Sequence, residues 1–157
     1  MQEKHTCKAL VLHCIDFRFR KALGEFLSSK FGDSYDLVSV AGGVKRLISD
    51  PAENNFIIEQ LKISNTLHKP NTIVLIQHED CGAYGGSKAF NTPQQEVKHQ
   101  REELQKAAAL LKEHFPQGKI ETHFIRLPPL TRRFERHTIT SMKNTCPTCG
   151  SSACPGC

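Results

Sequence analysis

The 157-residue chain has no apolar run long enough to span a bilayer. Its first residues, Met1-Gln-Glu-Lys-His5, are polar and lead straight into a strand-like stretch, so neither a membrane span nor a leader is expected, and the expected compartment is the cytoplasm. It has no internal repeat, which excludes a solenoid or a propeller. No Gly-Lys-Ser/Thr follows Gly82, Gly85 and Gly86, so these glycines are read as a turn and not as a phosphate-cradling loop. The body also lacks a charge bias: residues 1 to 125 hold 16 basic and 15 acidic side chains. The net charge of +5 therefore arises almost wholly after residue 125, from Arg126, Arg132, Arg133, Arg136 and Lys143 against Glu135.

What is present is enough apolar residue, 38%, for one domain with a real core. Seven cysteines are many for a reducing compartment, and the number is odd. Metal binding or catalysis is a better reading of them than a disulfide framework.

Apolar patterning predicts strands over Lys8–Cys14, Tyr35–Val40, Thr72–His78 and Lys119–Leu127. Helices are predicted between them. In Phe19–Phe31, Leu23, Phe26, Leu27 and Phe31 share one face. Ala52–Leu67, with Pro51 at or before its start, is rich enough in apolar residues (Phe56, Ile57, Ile58, Leu61, Ile63) to be well buried. Pro93–Phe115 is a long helix with Val97, Leu104, Ala108, Leu111 and Phe115 along one face and a supportive Glu102–Lys106 pair. Alternating strands and helices imply an α/β fold: a single domain, a mostly parallel four-stranded sheet in the order 2-1-3-4, and flanking helices. The expected division is an α/β domain over residues 1–127 and a basic, Cys-rich C-terminal tail over 128–157.

In that order the chain changes direction between strands one and three, and ligands bind outside the carboxyl ends of strands at such a switch point. Two stretches end there. Ala9-Leu-Val-Leu12 runs into His13-Cys14-Ile15-Asp16-Phe17-Arg18, and Thr72-Ile-Val-Leu-Ile76 runs into Gln77-His78-Glu79-Asp80-Cys81-Gly82. One imidazole and two thiolates are donors that zinc prefers, and three protein ligands leave a fourth position open, as catalytic sites do. The bland alternative is two small buried cysteines and a capping histidine. Asp16 reads either as a helix cap or as a group beside the metal, a fourth ligand or an acceptor for metal-bound water, held by Arg18.

Cys14-Ile-Asp16-Phe-Arg18 followed by His78-Glu-Asp-Cys81-Gly82 resembles the β-class carbonic anhydrases. That family carries Cys-x-Asp-x-Arg after its first strand and His-x-x-Cys-Gly after its third. Val40-Ala41-Gly42-Gly43 looks like the family's Asn-Ala-Gly-Asn stretch with both asparagines lost. The resemblance spans residues 8 to 126. It implies that Cys14, His78 and Cys81 bind zinc and that Asp16 and Arg18 form a catalytic dyad, with Asp16 able to swing onto the metal. The implied activity is a lyase reaction: zinc-bound hydroxide converts carbon dioxide to bicarbonate, the metal bringing the water pKa to about 7. The family's N-terminal helical arm and its fifth strand are not expected in this chain. A homodimer or higher oligomer is expected, because a short sheet leaves its edges exposed.

The tail ends in Cys146-Pro-Thr-Cys149 and Cys154-Pro-Gly-Cys157, two knuckles that suit a second, four-thiolate zinc, with free thiols or disulfides as the alternatives. Two rivals to the leading reading stand. One keeps the site and hydrolyses carbon disulfide or carbonyl sulfide. The other is a non-catalytic zinc protein whose basic tail contacts a partner such as RNA, although an arginine run is more often a solvated face. Asp16 and Arg18 favour an enzyme, since a purely structural zinc needs neither.

Overall fold

The computed structural model of the chain describes residues 5–49, 51–126 and 138–142. The strands are β1 (Ala9–Cys14), β2 (Tyr35–Val40), β3 (Thr72–His78), β4 (Lys119–Arg126) and β5 (Thr138–Met142). They form one sheet in the order β2-β1-β3-β4-β5. The first four are parallel. The helices are α1 (Arg20–Phe31), α2 (Val44–Ser49), α3 (Pro51–Leu67) and α4 (Pro93–His114). No helix among the described residues is long and apolar enough to cross a membrane.

Period-two alternation sends successive residues of β1 to opposite faces. Ala9 and Val11 pack with Val74, Ile76 and Ile125 against Phe19, Leu23 and Leu27 on the α1 side. Leu10 and Leu12 pack with Ile73, Leu75 and Phe124 against Leu47, Leu61, Leu104 and Leu111 on the other. Every residue of β3 is buried, as expected of a central parallel strand covered on both faces.

The expectation of four parallel strands is corrected by β5, which pairs antiparallel to β4 from Thr122↔Met142 to Arg126↔Thr138. It comes from the stretch assigned to the tail. Its own pattern is weak, because Ile139 and Met142 anchor it to opposite faces of the sheet. Pairing supplies the rest, including a bond from the Thr122 hydroxyl to the Met142 carbonyl at 2.7 Å. Three further differences concern helices. The short α2 was not expected. In α3, Ile57, Ile58 and Leu61 are buried but Phe56 and Ile63 are exposed. In α4, Lys106 pairs with Glu103 at 2.9 Å, in place of the predicted Glu102 partner. Leu127 and the cysteines at 146, 149, 154 and 157 lie outside the described residues.

Candidate metal centre

β1 and β3 are neighbours in register, Leu12 beside Leu75 and His13 beside Ile76, so their carboxyl ends emerge side by side. β1 delivers Cys14 and β3 delivers His78. Cys81 follows after a tight turn. Asp80 takes a left-handed conformation there (φ 57°). The Tyr84 and Gly86 N–H groups both donate to the Cys81 carbonyl at 3.0 Å. These bonds fix the backbone at a residue that is almost wholly buried.

The ligand atoms of Cys14, His78 and Cys81 lie within 4.8 Å of one another, a group that could hold a metal ion. The two sulfurs are 3.9 Å apart. His78 donates from Nδ1 to the Glu79 carbonyl at 2.8 Å, which fixes the tautomer and leaves a lone pair on Nε2. That Nε2 is buried and has no hydrogen-bond partner. A buried, unpaired acceptor is costly without a partner, and a cation between it and the two sulfurs would supply one. The Phe19 ring stacks on the imidazole, centroids 4.3 Å apart. A hydrogen bond from the Cys81 thiol, helped by the Gly42 N–H, holds Cys14 below the usual thiol range. The same bond to Cys14, together with burial, pushes Cys81 up. The two sulfurs thus face each other across 3.9 Å, at the place a metal ion would occupy.

Two glycines close the site from the β2 side. The Gly42 N–H donates to Cys14 Sγ at 3.3 Å. Gly43 has φ +53°, and a Cβ there would meet Gln77 Oε1 at 2.7 Å and the Cys14 nitrogen at 3.3 Å. Only glycine fits both the left-handed backbone and the close approach.

Asp16 and Arg18 are in direct contact. Asp16 Oδ1 accepts from the Arg18 backbone N–H at 3.0 Å, which caps the short 3-10 turn Phe17–Phe19. Arg18 Nε donates to both carboxylate oxygens, at 3.0 and 3.1 Å, and Nη2 donates to Oδ2 at 2.6 Å. The guanidinium also reaches Asp80, with Nη1 on Oδ2 at 2.7 Å and Nη2 on the carbonyl at 2.8 Å. Hydrogen bonds from Arg18 hold the Asp16 carboxyl below its ordinary range. Arg18 does the same for Asp80, seconded by the Ser87 N–H. Asp16 is therefore turned toward Arg18 and stands outside the three-residue group.

A cavity of about 340 Å³ opens beside the centre, its walls including Ile15, Leu23, Leu37, Ile76 and Ile125 around Cys14, Asp16 and His78. The cavity suits a small molecule with little polarity.

Cys14, His78 and Cys81 are thus brought together, and Asp16 and Arg18 are in contact beside them. Other contributors carried no signal of their own. Asp80 lies inside the quoted motif, but its tie to Arg18 spans 62 positions. Glu96, Gln100 and Glu103 read as ordinary polar positions of α4, yet all three are buried. Glu96 accepts from the Asp80 N–H and the Ser87 hydroxyl, each at 2.7 Å, and so anchors the loop that carries Cys81. Tyr84 links Gln77, at 2.9 Å, to Glu103, at 3.4 Å. A fixed i,i+4,i+7 spacing of polar residues on one helix face is the signal that could have found this row.

The fold and the site together define an α/β protein with a Cys-His-Cys group, able to hold a metal, at the switch point of a parallel sheet. Residues 4–129 match the family model described as "Putative carbonic anhydrase", and the chain belongs to that family. An uncharacterized protein of Rickettsia conorii is 32% identical over 129 residues, covering 78% of this chain and 69% of its own length. An uncharacterized protein of Rickettsia bellii is 28% identical over 140 residues and 85% of each chain.

Proposed function

We propose that the chain is a zinc-dependent carbonic anhydrase of the β class, which hydrates carbon dioxide reversibly to bicarbonate. The observation that carries this reading is the joint presence of two features. A buried His78 Nε2 without a partner converges with the sulfurs of Cys14 and Cys81, all three ligand atoms within 4.8 Å of one another. Beside them Asp16 is held away by a guanidinium with five donor contacts on two aspartates. A structural metal would need only the first.

Cys14, His78 and Cys81 would hold zinc, which when bound supplies a Lewis acid that brings the pKa of a water to about 7. Asp16 would accept a hydrogen bond from the attacking water and set its orientation. The Arg18 Nε–H is shared by both oxygens, so the carboxylate retains acceptor capacity for that bond. Arg18 keeps Asp16 from the metal, and Asp80 and Glu96 keep Arg18 in place. The apolar walls of the 340 Å³ cavity suit carbon dioxide, which offers little to a hydrogen-bonding pocket.

We also propose a homodimer or larger assembly. β2 is an edge strand, and Leu37 on it, Ile15 and Phe17 beside the centre, and Phe56 on α3 are exposed. A monomer by light scattering at high concentration would remove this part. The Cys146, Cys149, Cys154 and Cys157 knuckles form a second zinc site in this proposal, one that deletion of residues 146–157 should abolish alone.

The deciding experiment is zinc analysis of the full chain combined with stopped-flow hydration of carbon dioxide, run beside carbon disulfide and carbonyl sulfide hydrolysis. Zinc with rapid hydration supports the proposal. Zinc with hydrolysis of the sulfur substrates alone moves the chain to the other substrate class. Zinc with neither activity overturns the enzyme.

A further inference from the structure

The amino ends of the strands carry a second gathering of metal-ligating side chains that the proposed chemistry does not use. Cys7 precedes β1 in a segment tied down at both sides: its N–H donates to the His68 carbonyl and the Lys8 N–H to the Ser34 carbonyl, each at 2.8 Å. The Cys7 thiol donates to the Ala9 carbonyl at 3.2 Å, a bond that metal binding would replace, and His5 lies two positions before it. His68 directly follows α3. Its Nδ1–H donates to Asp36 Oδ2 at 2.6 Å, and the Ser64 hydroxyl donates to the same oxygen at 2.6 Å. A carboxylate on one ring nitrogen orients an imidazole and directs the lone pair of the other nitrogen outward, as around metal-binding histidines. The His5 and His68 ring centroids are 6.0 Å apart, and both rings line one hollow of about 350 Å³ with Cys7 and Asp36.

We propose that His5, Cys7 and His68 bind a further zinc ion, distinct from the main centre and from the tail, with Asp36 holding the His68 ring. Two imidazoles and a thiolate are a donor set for a borderline-soft divalent ion and leave a fourth position for water. The donors are not yet gathered: among the described residues, the group whose ligand atoms already converge is the one at the other end of the sheet. His5 is exposed and precedes the strand, so rotation about its side-chain torsions can close the gap while β1 stays in place. An imidazolium–carboxylate pair at the end of α3 would account for His68 and Asp36. It gives no part to His5, which lines the same hollow beside Cys7. The ion would staple the leading segment to α3 and to the β2 edge, about 20 Å from Cys14 at the rise of a strand.

The test uses the full chain, dialysed against micromolar zinc and assayed for bound metal, as wild type and as His5→Ala, Cys7→Ser and His68→Gln. The main centre and the tail are common to all four. The wild type should retain one more equivalent of zinc than each variant. A cobalt difference spectrum, wild type minus Cys7→Ser, should show a thiolate charge-transfer band. Carbon dioxide hydration by His5→Ala should match the wild type, so failure here is separable from failure of the main proposal. Should His68→Gln prove misfolded by circular dichroism, His5→Ala and Cys7→Ser decide. Equal zinc in wild type and both of those variants, with a flat difference spectrum, overturns the site.

Discussion

The two ends of the sheet carry similar residues in different states of organisation. At the carboxyl ends, Cys14, His78 and Cys81 converge within 4.8 Å, and the carboxylate beside them is gripped by an arginine. At the amino ends, His5, Cys7, His68 and Asp36 line a hollow with ring centroids still 6.0 Å apart. Residue type is common to both ends. What distinguishes the first is burial, two close-approaching glycines, and a loop anchored on the buried Glu96. A preorganised site is built by the groups that deny its ligands any other conformation.

The largest effect should come from removing the converged ligands. Cys14→Ser with Cys81→Ser should lose the main zinc and all hydration activity. Unchanged zinc content in the double variant would make the two ends equivalent and the main assignment wrong.

Next in size are Asp16 and Arg18, which on the proposed reading would govern the open position. Arg18→Ala would free a carboxylate beside the proposed zinc, where attraction in a poorly solvated site is strong. It should keep zinc and lose activity by roughly 100-fold. Asp16→Ala should also keep zinc with a similar loss. If Asp16 were only the cap that its bond to the Arg18 N–H makes it, Asp16→Ala would cost about 1 kcal/mol of stability and leave hydration intact. Rates and melting temperatures of both variants separate these outcomes.

Gly43→Ala addresses the shaping of the site. A methyl group 2.7 Å from Gln77 Oε1, on a backbone at φ +53°, should cost about 2 kcal/mol and weaken zinc binding, read by thermal melts and chelator competition. The comparison breaks if the variant melts and binds zinc like the wild type.

The smallest effect lies in an ion pair with no part in chemistry. Burial would raise the Glu121 carboxyl, but Lys119 and Lys30 outweigh it and hold the group at about 2. The ordinary glutamate value is about 4.3. The folded-state value is the lower one, so this stabilisation is complete above the ordinary value and is lost as pH falls through about 2. Glu121→Gln should cost about 1 kcal/mol at neutral pH, because the lysine partners are partly solvated, and the gap from wild type should close toward pH 2. A gap that stays constant with pH would remove charge as its cause.

β1, β2, β3 and their adjacency were legible because apolar runs and turn glycines are local signals. So was the placement of Cys14, Asp16, Arg18, His78 and Cys81 beside the ends of two adjacent strands. β5 was not, since Thr-Ile-Thr-Ser-Met has one anchor per face and becomes a strand only by pairing with β4. Nor was α2, whose six residues hold too few turns to show a period. The exposed side of α3 escaped for another reason: composition says how apolar a helix is, not how much surface its neighbours can cover. Asp80 and Glu96 were invisible because their roles lie in partners far along the chain, or, for Glu96, in a loop wrapped back onto the helix.

The separation of 67 positions between Cys14 and Cys81 has a consequence for the order of folding events. His78 and Cys81 are three positions apart and can grasp an ion while the chain is still largely unfolded. Cys14 joins them only when β1 docks in parallel on β3, closing a loop that contains α1, β2, α2 and α3. Parallel, non-local pairings of this kind form late and slowly. The spectrum of a two-thiolate, one-imidazole cobalt centre would therefore appear no faster than that pairing, and a bound metal would serve as a clock for the joining of β1 to β3.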